Sequence, residues 1–365
     1  MFVKQLTLTN FRSYSHLTVS FPDSRIFITG ANGIGKTTVL EAIYYLTLGR
    51  SFRKADDKDL IKKGEQQASI YLTFHNEKDD KDHTLSAVIS SNGKAFAYDN
   101  EKVKSLSKIL GLLTAVYYDP SLVFFFKGEP NDRRKLLDAT LSQLSPEYLY
   151  AISRYKKLLK ERNAALSQNY DSEIIDVLRN ELINLAYRIV KDRKEFISDL
   201  AKPVNDYYQK LFGENKNLAL TYKTTCPLDD DQTSFVKNCQ DIFARNKSLE
   251  NIRKTTLIGP HRDDIMARIN GNDLSGYGSQ GENRLASLSL KIAIRDLLQS
   301  KTKQSPLLLL DDVTSDLDEK RCQNLLSTID SKGQVFITGT RINEGFSSYE
   351  VYETNGTDLV RRNLK

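Results

Sequence analysis

At 365 residues, with 39% apolar and 27% charged side chains, the chain has ordinary globular composition and enough length for two domains. Its longest apolar runs, Leu122 to Phe126 and Pro306 to Leu310, are far too short to cross a bilayer, and Met1-Phe2-Val3-Lys4 opens a strand pattern with no secretory signal ahead of it; a soluble cytoplasmic protein without a membrane partner is expected. Cys226, Cys239 and Cys322 are scattered without a C-x-x-C pair, which argues against a disulfide framework or a zinc site, and the net charge of +6 permits an acidic partner without demanding one.

Phe2 to Asn10 alternates like a half-buried strand, Asn10-Phe11-Arg12-Ser13-Tyr14 interrupts it, and Leu17 to Phe21 reads as a second strand. Arg12 sits in the interrupting loop, placed either to reach a bound nucleotide or to be an ordinary solvated arginine. Next comes the short β-branched and aromatic run Arg25 to Thr29. It leads into Gly30-Ala31-Asn32-Gly33-Ile34-Gly35-Lys36-Thr37-Thr38, which fills G-x-x-x-x-G-K-[ST] at every fixed position. Val39 to Leu48 then carries apolar residues at helical spacing, so the motif has the strand, loop and helix context of a phosphate cradle. Glycines at 30, 33 and 35 let backbone N–H groups wrap around phosphate oxygens, Lys36 neutralises the β- and γ-phosphates, and Thr37 offers its hydroxyl to Mg²⁺.

Ala68 to His75, Thr84 to Ser90 and Ala95 to Asp99 alternate and read as an antiparallel meander, with Asn92-Gly93 as a hairpin turn; Thr114 to Tyr118 returns as a buried strand. From Asp132 to about Phe212 glycine and proline are sparse and apolar residues recur at helical spacing, with Pro203 expected to cap, kink or end the long helix. Arg154, Lys156, Lys157, Lys160 and Arg162 make part of this insert basic, either a nucleic-acid face or a charged helix surface; Lys54, Lys58, Lys62 and Lys63 are further candidates for phosphate contact. A strand at Leu218 to Thr224, a loop at Cys226 to Thr233 containing the acidic Asp229-Asp230-Asp231, and a helix at Ser234 to Leu249 follow.

The second half of the nucleotide site lies far downstream. Leu307 to Leu310 is a continuous apolar run, as in a parallel strand covered on both faces, and it ends in Asp311-Asp312. In this Walker B reading Asp311 holds the metal, directly or through water, and Asp312 orients or deprotonates the attacking water. Between the halves, Tyr277-Gly278-Ser279-Gln280-Gly281-Glu282 precedes a helix from Asn283 to Leu298. This segment resembles the signature motif of ABC-type ATPases, whose serine and helix N-terminus meet the γ-phosphate held by the other subunit. Thr314-Ser315-Asp316-Leu317-Asp318 resembles their D-loop, and Gln334 to Thr340 the last core strand and switch, with Thr338 and Thr340 where many such enzymes carry histidine and Gly339 departing from a threonine-rich switch.

Within that superfamily the chain is similar to RecF-type recombination-repair ATPases. The residues carrying the likeness are Asn10 to Tyr14, Gly49-Arg50-Ser51-Phe52-Arg53, Asp119-Pro120-Ser121-Leu122, Arg133-Arg134-Lys135-Leu136-Leu137-Asp138, Gly259-Pro260-His261-Arg262-Asp263-Asp264, the signature and Leu309 to Val313, in the family's order. The resemblance implies an α/β fold: an ABC-type head, with a mixed sheet around the phosphate loop plus the antiparallel meander, split over residues 1–130 and 250–365, and a short helical arm over 131–249. It implies a weak ATPase using ATP and Mg²⁺. Lys36 and Asp312 are its catalytic residues, Thr37 and Asp311 its metal ligands, and Gly30 to Thr38 with Arg12 its nucleotide contacts; Ser279, Gln280, Gly281 and Glu282 act in trans. It further implies an ATP-dependent homodimer that clamps duplex, gapped or junction DNA in repair, replication and the SOS response, with RecO and RecR as partners in loading RecA. Asp312 is one methylene shorter than the glutamate of transporter ATPases, which predicts slow turnover. His261, taken alone, reads as a hydrogen-bonded structural residue. The competing readings are a transporter-type subunit, disfavoured by the long helical insert between Lys36 and Ser279; an SMC or zinc-hook tether, disfavoured by the absence of a long coiled coil or C-x-x-C hook; and a DNA-free signalling NTPase.

Overall fold

The computed structural model describes the chain except for residues 54, 214, 229–230, 315–316, 330–332, 341, 343 and 363–365. The chain divides into two compact units, Met1–Leu122 with Tyr207–Glu214 and Arg284–Lys365, and Val123–Asp206 with Asn215–Asn283.

In the first unit, β1 (Phe2–Phe11) and β2 (Tyr14–Ser20) form a tight hairpin closed by the Phe11 to Tyr14 pair, so the expected interruption is a turn with Arg12 at φ 54. β3 (Arg25–Thr29) leads into α1 (Lys36–Leu48); β4 (Gln67–Asn76), β5 (Lys81–Ser90), β6 (Gly93–Tyr98) and β7 (Glu101–Val103) are the predicted meander, and β8 (Ala115–Tyr118) follows. In the second unit lie α2 (Pro130–Leu144), α3 (Pro146–Ser167) and most of α4 (Ser172–Phe212), then β9 (Leu218–Lys223), α5 (Gln232–Arg253), β10 (Asp264–Ile269), β11 (Asn272–Asp273), the single turn α6 (Leu274–Tyr277) and the start of α7 (Gln280–Thr302). The first unit resumes with β12 (Leu307–Leu310), α8 (Glu319–Ile329), β13 (Val335–Gly339), β14 (Glu350–Thr354) and β15 (Leu359–Arg362).

Two six-stranded sheets build the first unit. One, ordered β2-β1-β4-β5-β6-β7, is antiparallel; the other, ordered β15-β14-β3-β13-β12-β8, has parallel pairing from β14 through β8. Ile26, Ile28, Leu307, Leu309 and Phe336 from the parallel sheet join Leu6, Leu8, Ile70 and Leu72 from the antiparallel sheet in one core with the apolar face of α1. Because β12 pairs on one side with β13 and on the other with β8, its four leucines are fully buried, and Asp311 at its C-terminal end reaches Thr37 on the helix that follows the phosphate loop. This is the crevice at the carboxyl ends of parallel strands where α/β sheets bind ligands.

The second unit departs from the predicted bounds. Residues 250–283 belong with the helices and not with the phosphate-loop unit, because β10 pairs along its whole length with β9 in the three-stranded sheet β11-β10-β9 and Arg133 on α2 grips Asp264 through two hydrogen bonds of 2.6 and 2.9 Å. Nor does α4 end at Pro203, which lies inside the helix. The missing N–H removes one helical bond, but Leu200, Val204, Tyr208 and Leu211 continue the buried stripe past it, and burial outweighs the lost bond. Among the described residues no helix is long and apolar enough to cross a membrane.

Candidate nucleotide site

The loop from Gly30 to Gly35 is shaped by what surrounds it. Gly35 has φ 112, and a Cβ there would come within 3.1 Å of the Tyr14 ring and 3.2 Å of Ser13 Oγ; at Gly30 a Cβ would meet the Thr354 carbonyl at 2.8 Å. The close approach of β2 and β14 therefore restricts both positions to glycine. Ala31, Asn32 and Gly33 form the exposed rim, with Ile34 half-buried. The Lys36 ammonium reaches back over the loop to donate to the carbonyls of Gly30 at 2.8 Å and Ala31 at 2.9 Å. Burial lowers its pKa, while the carboxylates of Asp312 and Asp311 act in the opposite direction. Thr38 is buried and its N–H closes the first helical turn on Gly35.

The distant half of the motif converges on the same point. Thr37 Oγ1 donates to Asp311 Oδ1 at 2.7 Å, Thr338 Oγ1 donates to the same oxygen at 2.6 Å, and Tyr117 OH reaches Asp311 Oδ2 at 3.4 Å. Thr338 also accepts the Asp312 N–H at 2.9 Å, which pins Asp312 in a left-handed conformation, φ 46, that aspartate tolerates better than most residues. Thr338 is thus joined to the Asp311 carboxylate and to the Asp312 backbone. Thr340 is exposed one residue beyond β13, and Ser315 and Asp316 of the predicted D-loop lie outside the described residues. Asp311 and Thr37 present a carboxylate and a hydroxyl side by side, the hard oxygen donors that suit Mg²⁺ when phosphates and water complete its shell. Among the described residues no cluster of three or more His, Cys, Asp or Glu side chains could hold a metal unaided.

Arg12 lines the cleft of about 420 Å³ beside Gly33, Lys36, Thr37 and Lys63. It is held there by Glu41, which is fully buried on α1 and accepts from Arg12 Nε at 3.0 Å and Nη2 at 2.6 Å; Arg12 Nη1 donates to the Asp59 carbonyl. Ser51 also donates to Glu41, and Arg53 lies 3.8 Å from it. Sequence reasoning missed Glu41. Its signal was available, since an acidic residue one turn after Thr37 on the apolar face of a helix must find a partner when buried. A second opening, about 380 Å³, lies between Asp311, Arg53 and the stacked rings of Phe52 and Tyr117, whose centroids are 3.5 Å apart.

The signature residues belong to the second unit. Ser279 caps α7: its Oγ accepts the Glu282 N–H at 3.2 Å while Glu282 accepts the Ser279 N–H at 2.8 Å, a reciprocal capping box that Lys216 steadies by an ion pair to Glu282 at 2.6 Å. Ser279, Gln280 and Gly281 are exposed, as is Tyr277 at 84%.

Other family motifs form structural networks. Arg193, fully buried, donates to Asp138 at 2.7 Å, Tyr148 at 2.9 Å and the Pro260 carbonyl at 2.7 Å, and lies 3.5 Å from Asp263. Arg134 donates to the Asp263 carbonyl at 2.8 Å. His261 accepts or donates at Nδ1 with Tyr155 at 2.7 Å and reaches the Thr256 carbonyl from Nε2 at 3.0 Å, a set satisfied by the neutral ring; burial pushes its pKa down to about 4. The basic stretch of α3 is not one free face. Arg162 is buried against Glu250, Lys156 pairs with Asp138, Arg154 with Glu181 and Lys157 with Glu161, leaving Lys160 exposed. Lys62 bonds to Ser15, Lys58 lies 3.9 Å from Asp56, and Lys54, Asp229 and Asp230 are outside the described residues.

A parallel sheet whose strand ends bring together a phosphate loop and a Walker B carboxylate, flanked by an antiparallel meander, defines an ABC-type ATPase head. The family described as RecF/RecN/SMC N terminal domain matches residues 2–355. DNA replication and repair protein RecF of Halalkalibacterium halodurans is 35% identical over 371 residues, covering 100% of this chain and 99% of that protein, and its Bacillus subtilis namesake is 35% identical over 349 residues, covering 94% of each. The solved structure of the recombination mediator protein RecF-ATP in the RecFOR pathway superposes with a TM-score of 0.91 at 27% identity, over 99% of both chains. An Smc head domain from Pyrococcus furiosus, at 18% identity and a TM-score of 0.59, shares the fold. The chain belongs to the RecF family of DNA replication and repair ATPases.

Proposed function

We propose that this chain is a slow ATP-driven clamp on DNA. The observation that carries the reading is the 2.7 Å contact of Thr37 with Asp311, which joins the two halves of a phosphate and metal site from opposite ends of the chain. ATP lies along Gly30 to Thr38, and Lys36 exchanges its two loop carbonyls for phosphate oxygens. Thr37 and Asp311 hold Mg²⁺, which neutralises charge on the phosphates. Asp312, fixed by Thr338, orients and deprotonates the attacking water. Arg12, held by Glu41, faces the nucleotide cleft.

A second copy completes the site. Ser279 and the exposed N-terminus of α7 form an anion-binding helix start, and in the dimer they meet the γ-phosphate bound by the partner. ATP is then the link between subunits, and hydrolysis removes it and lets the clamp open. DNA at gaps, junctions or in duplex form is the cargo, in the cytoplasm, with RecO and RecR as the partners through which RecA is loaded.

The test is the mass in solution with ATP, with ADP and without nucleotide, for the wild type and Ser279→Arg. A dimer only with ATP, lost in the variant, supports the composite site; a monomer under every condition would overturn it.

A further inference from the structure

The second unit contains a cavity that the nucleotide chemistry does not use. It lies where the C-terminal end of α3, the start of α4 and the last turns of α5 meet, has a volume of about 220 Å³, and is walled by Arg162, Arg179, Lys247, Lys254, Tyr170 and Phe243. Asp176 and Glu250 are the carboxylates of its lining. Glu250 is already engaged by Arg162 at 2.6 Å and by the Leu257 N–H at 2.7 Å, and Arg179 and Lys247 share the single carboxylate of Asp176, at 2.9 and 3.8 Å. Lys254 bonds only to the neutral amide oxygen of Asn169 among the described residues. Four cations against two carboxylates leave the cavity with a surplus of two positive charges.

Two further features mark it as a built site. Arg162 is 3% exposed, lies with its guanidinium 5.2 Å from the Phe243 ring centroid, and has no hydrogen-bond acceptor for Nε among the described residues. The unmade bond leaves Arg162 an incompletely compensated buried cation beside the cavity. Lys254 ends α5 in a left-handed conformation, φ 53, where glycine is the usual choice, and this holds its ammonium at the cavity across from Asn169.

The geometry points to this cavity as a binding site for a phosphomonoester dianion. The surplus charge matches that dianion, the guanidinium and ammonium groups are its usual donors, and the aromatic wall accepts the ring of an attached sugar or base. The volume is below the roughly 300–1,000 Å³ of pockets that enclose larger ligands, so a single phosphorylated group fits. The source is either a small free metabolite or the phosphorylated end of a nucleic-acid strand.

Calorimetry on the full chain, with ADP saturating the phosphate loop, tests this with ribose 5-phosphate, inorganic phosphate and a trinucleotide with and without its 5′-phosphate. Binding that weakens about tenfold or more in K247Q/K254Q, and likewise in Arg179→Gln, with ADP affinity unchanged, is the expected result. A phosphorylated trinucleotide that binds much more tightly than ribose 5-phosphate identifies a strand end; equal affinities identify a free metabolite. No heat with any phosphate, equal affinity in wild type and both variants, or equally tight binding of the unphosphorylated trinucleotide would overturn the assignment.

Discussion

Asp311 in the first unit and three buried or half-buried carboxylates of the second have opposite surroundings. In the second unit Asp138, Asp264 and Glu250 are each met by a buried or nearly buried guanidinium, so their charge is spent on holding helices and β10 together. In the first unit Asp311 is met by three hydroxyls, and among the described residues no ion pair reaches it. Hydroxyls orient a carboxylate without supplying a counter-charge, which leaves Asp311 placed to meet a cation. Glu41 shows the two patterns within one unit: it is spent on Arg12, and that expenditure positions an arginine at the cleft. Motif residues in a family can therefore be structural or chemical, and the partner decides which.

The strongest test of this contrast is Arg193→Ala. It leaves Asp138 buried with one fewer partner and should destabilise the fold by about 3–5 kcal/mol in urea unfolding, whereas Arg188→Ala, which breaks an exposed helix pair with Asp192, should cost under about 0.5 kcal/mol. Equal losses in the two variants would erase the distinction between spent and surface charges. Lys36→Ala should lower ATP affinity by roughly a hundredfold, about 3 kcal/mol, in titrations with a fluorescent analogue, and move the unfolding free energy by less than about 1 kcal/mol. Unchanged affinity would remove the phosphate loop from the site.

His261 gives the comparison a pH dependence. Its folded pKa, about 4, lies below the ordinary value of 6.5, so the folded state resists protonation. The contribution is fully present above pH 6.5 and is lost as pH falls from 6.5 toward 4, amounting to about 2–3 kcal/mol. Stability measured across that interval should fall less steeply for His261→Gln, which keeps a donor and an acceptor but cannot titrate; parallel curves would show that the ring is not buried neutral. The smallest effect belongs to the signature. Ser279→Ala removes one side of an exposed capping box and should cost only about 1 kcal/mol of stability, so a larger loss of ATP-dependent dimerisation in the same variant would separate its role in trans from its role as a cap.

Much of the head was readable from local pattern. The loop at Gly30 to Thr38, the apolar run ending in Asp311-Asp312 and the alternation of the meander each carry their own periodicity or fixed spacing, and all three appear as β3-loop-α1, β12 and β4 to β6. The grouping of residues 250–283 was not readable, because strand pairing between β9 and β10 spans a helix and a loop and leaves no mark at either strand alone. Basic residues were equally ambiguous. Arg162 and Lys160 lie two positions apart with the same charge, yet one is buried against Glu250 and the other exposed.

By itself the sequence determined the phosphate loop, the Walker B strand, the signature segment and the family, since each depends on residue type at short, fixed separations. Only the tertiary structure decided that Thr37, Asp311 and Thr338 share one oxygen's reach, that Glu41 holds Arg12, and that Pro260 and Asp263 of the Gly259 to Asp264 motif join a buried framework around Arg193. The reason is physical: a side chain's chemistry depends on its neighbours and on its exclusion from water, and for these residues the neighbours come from remote parts of the chain.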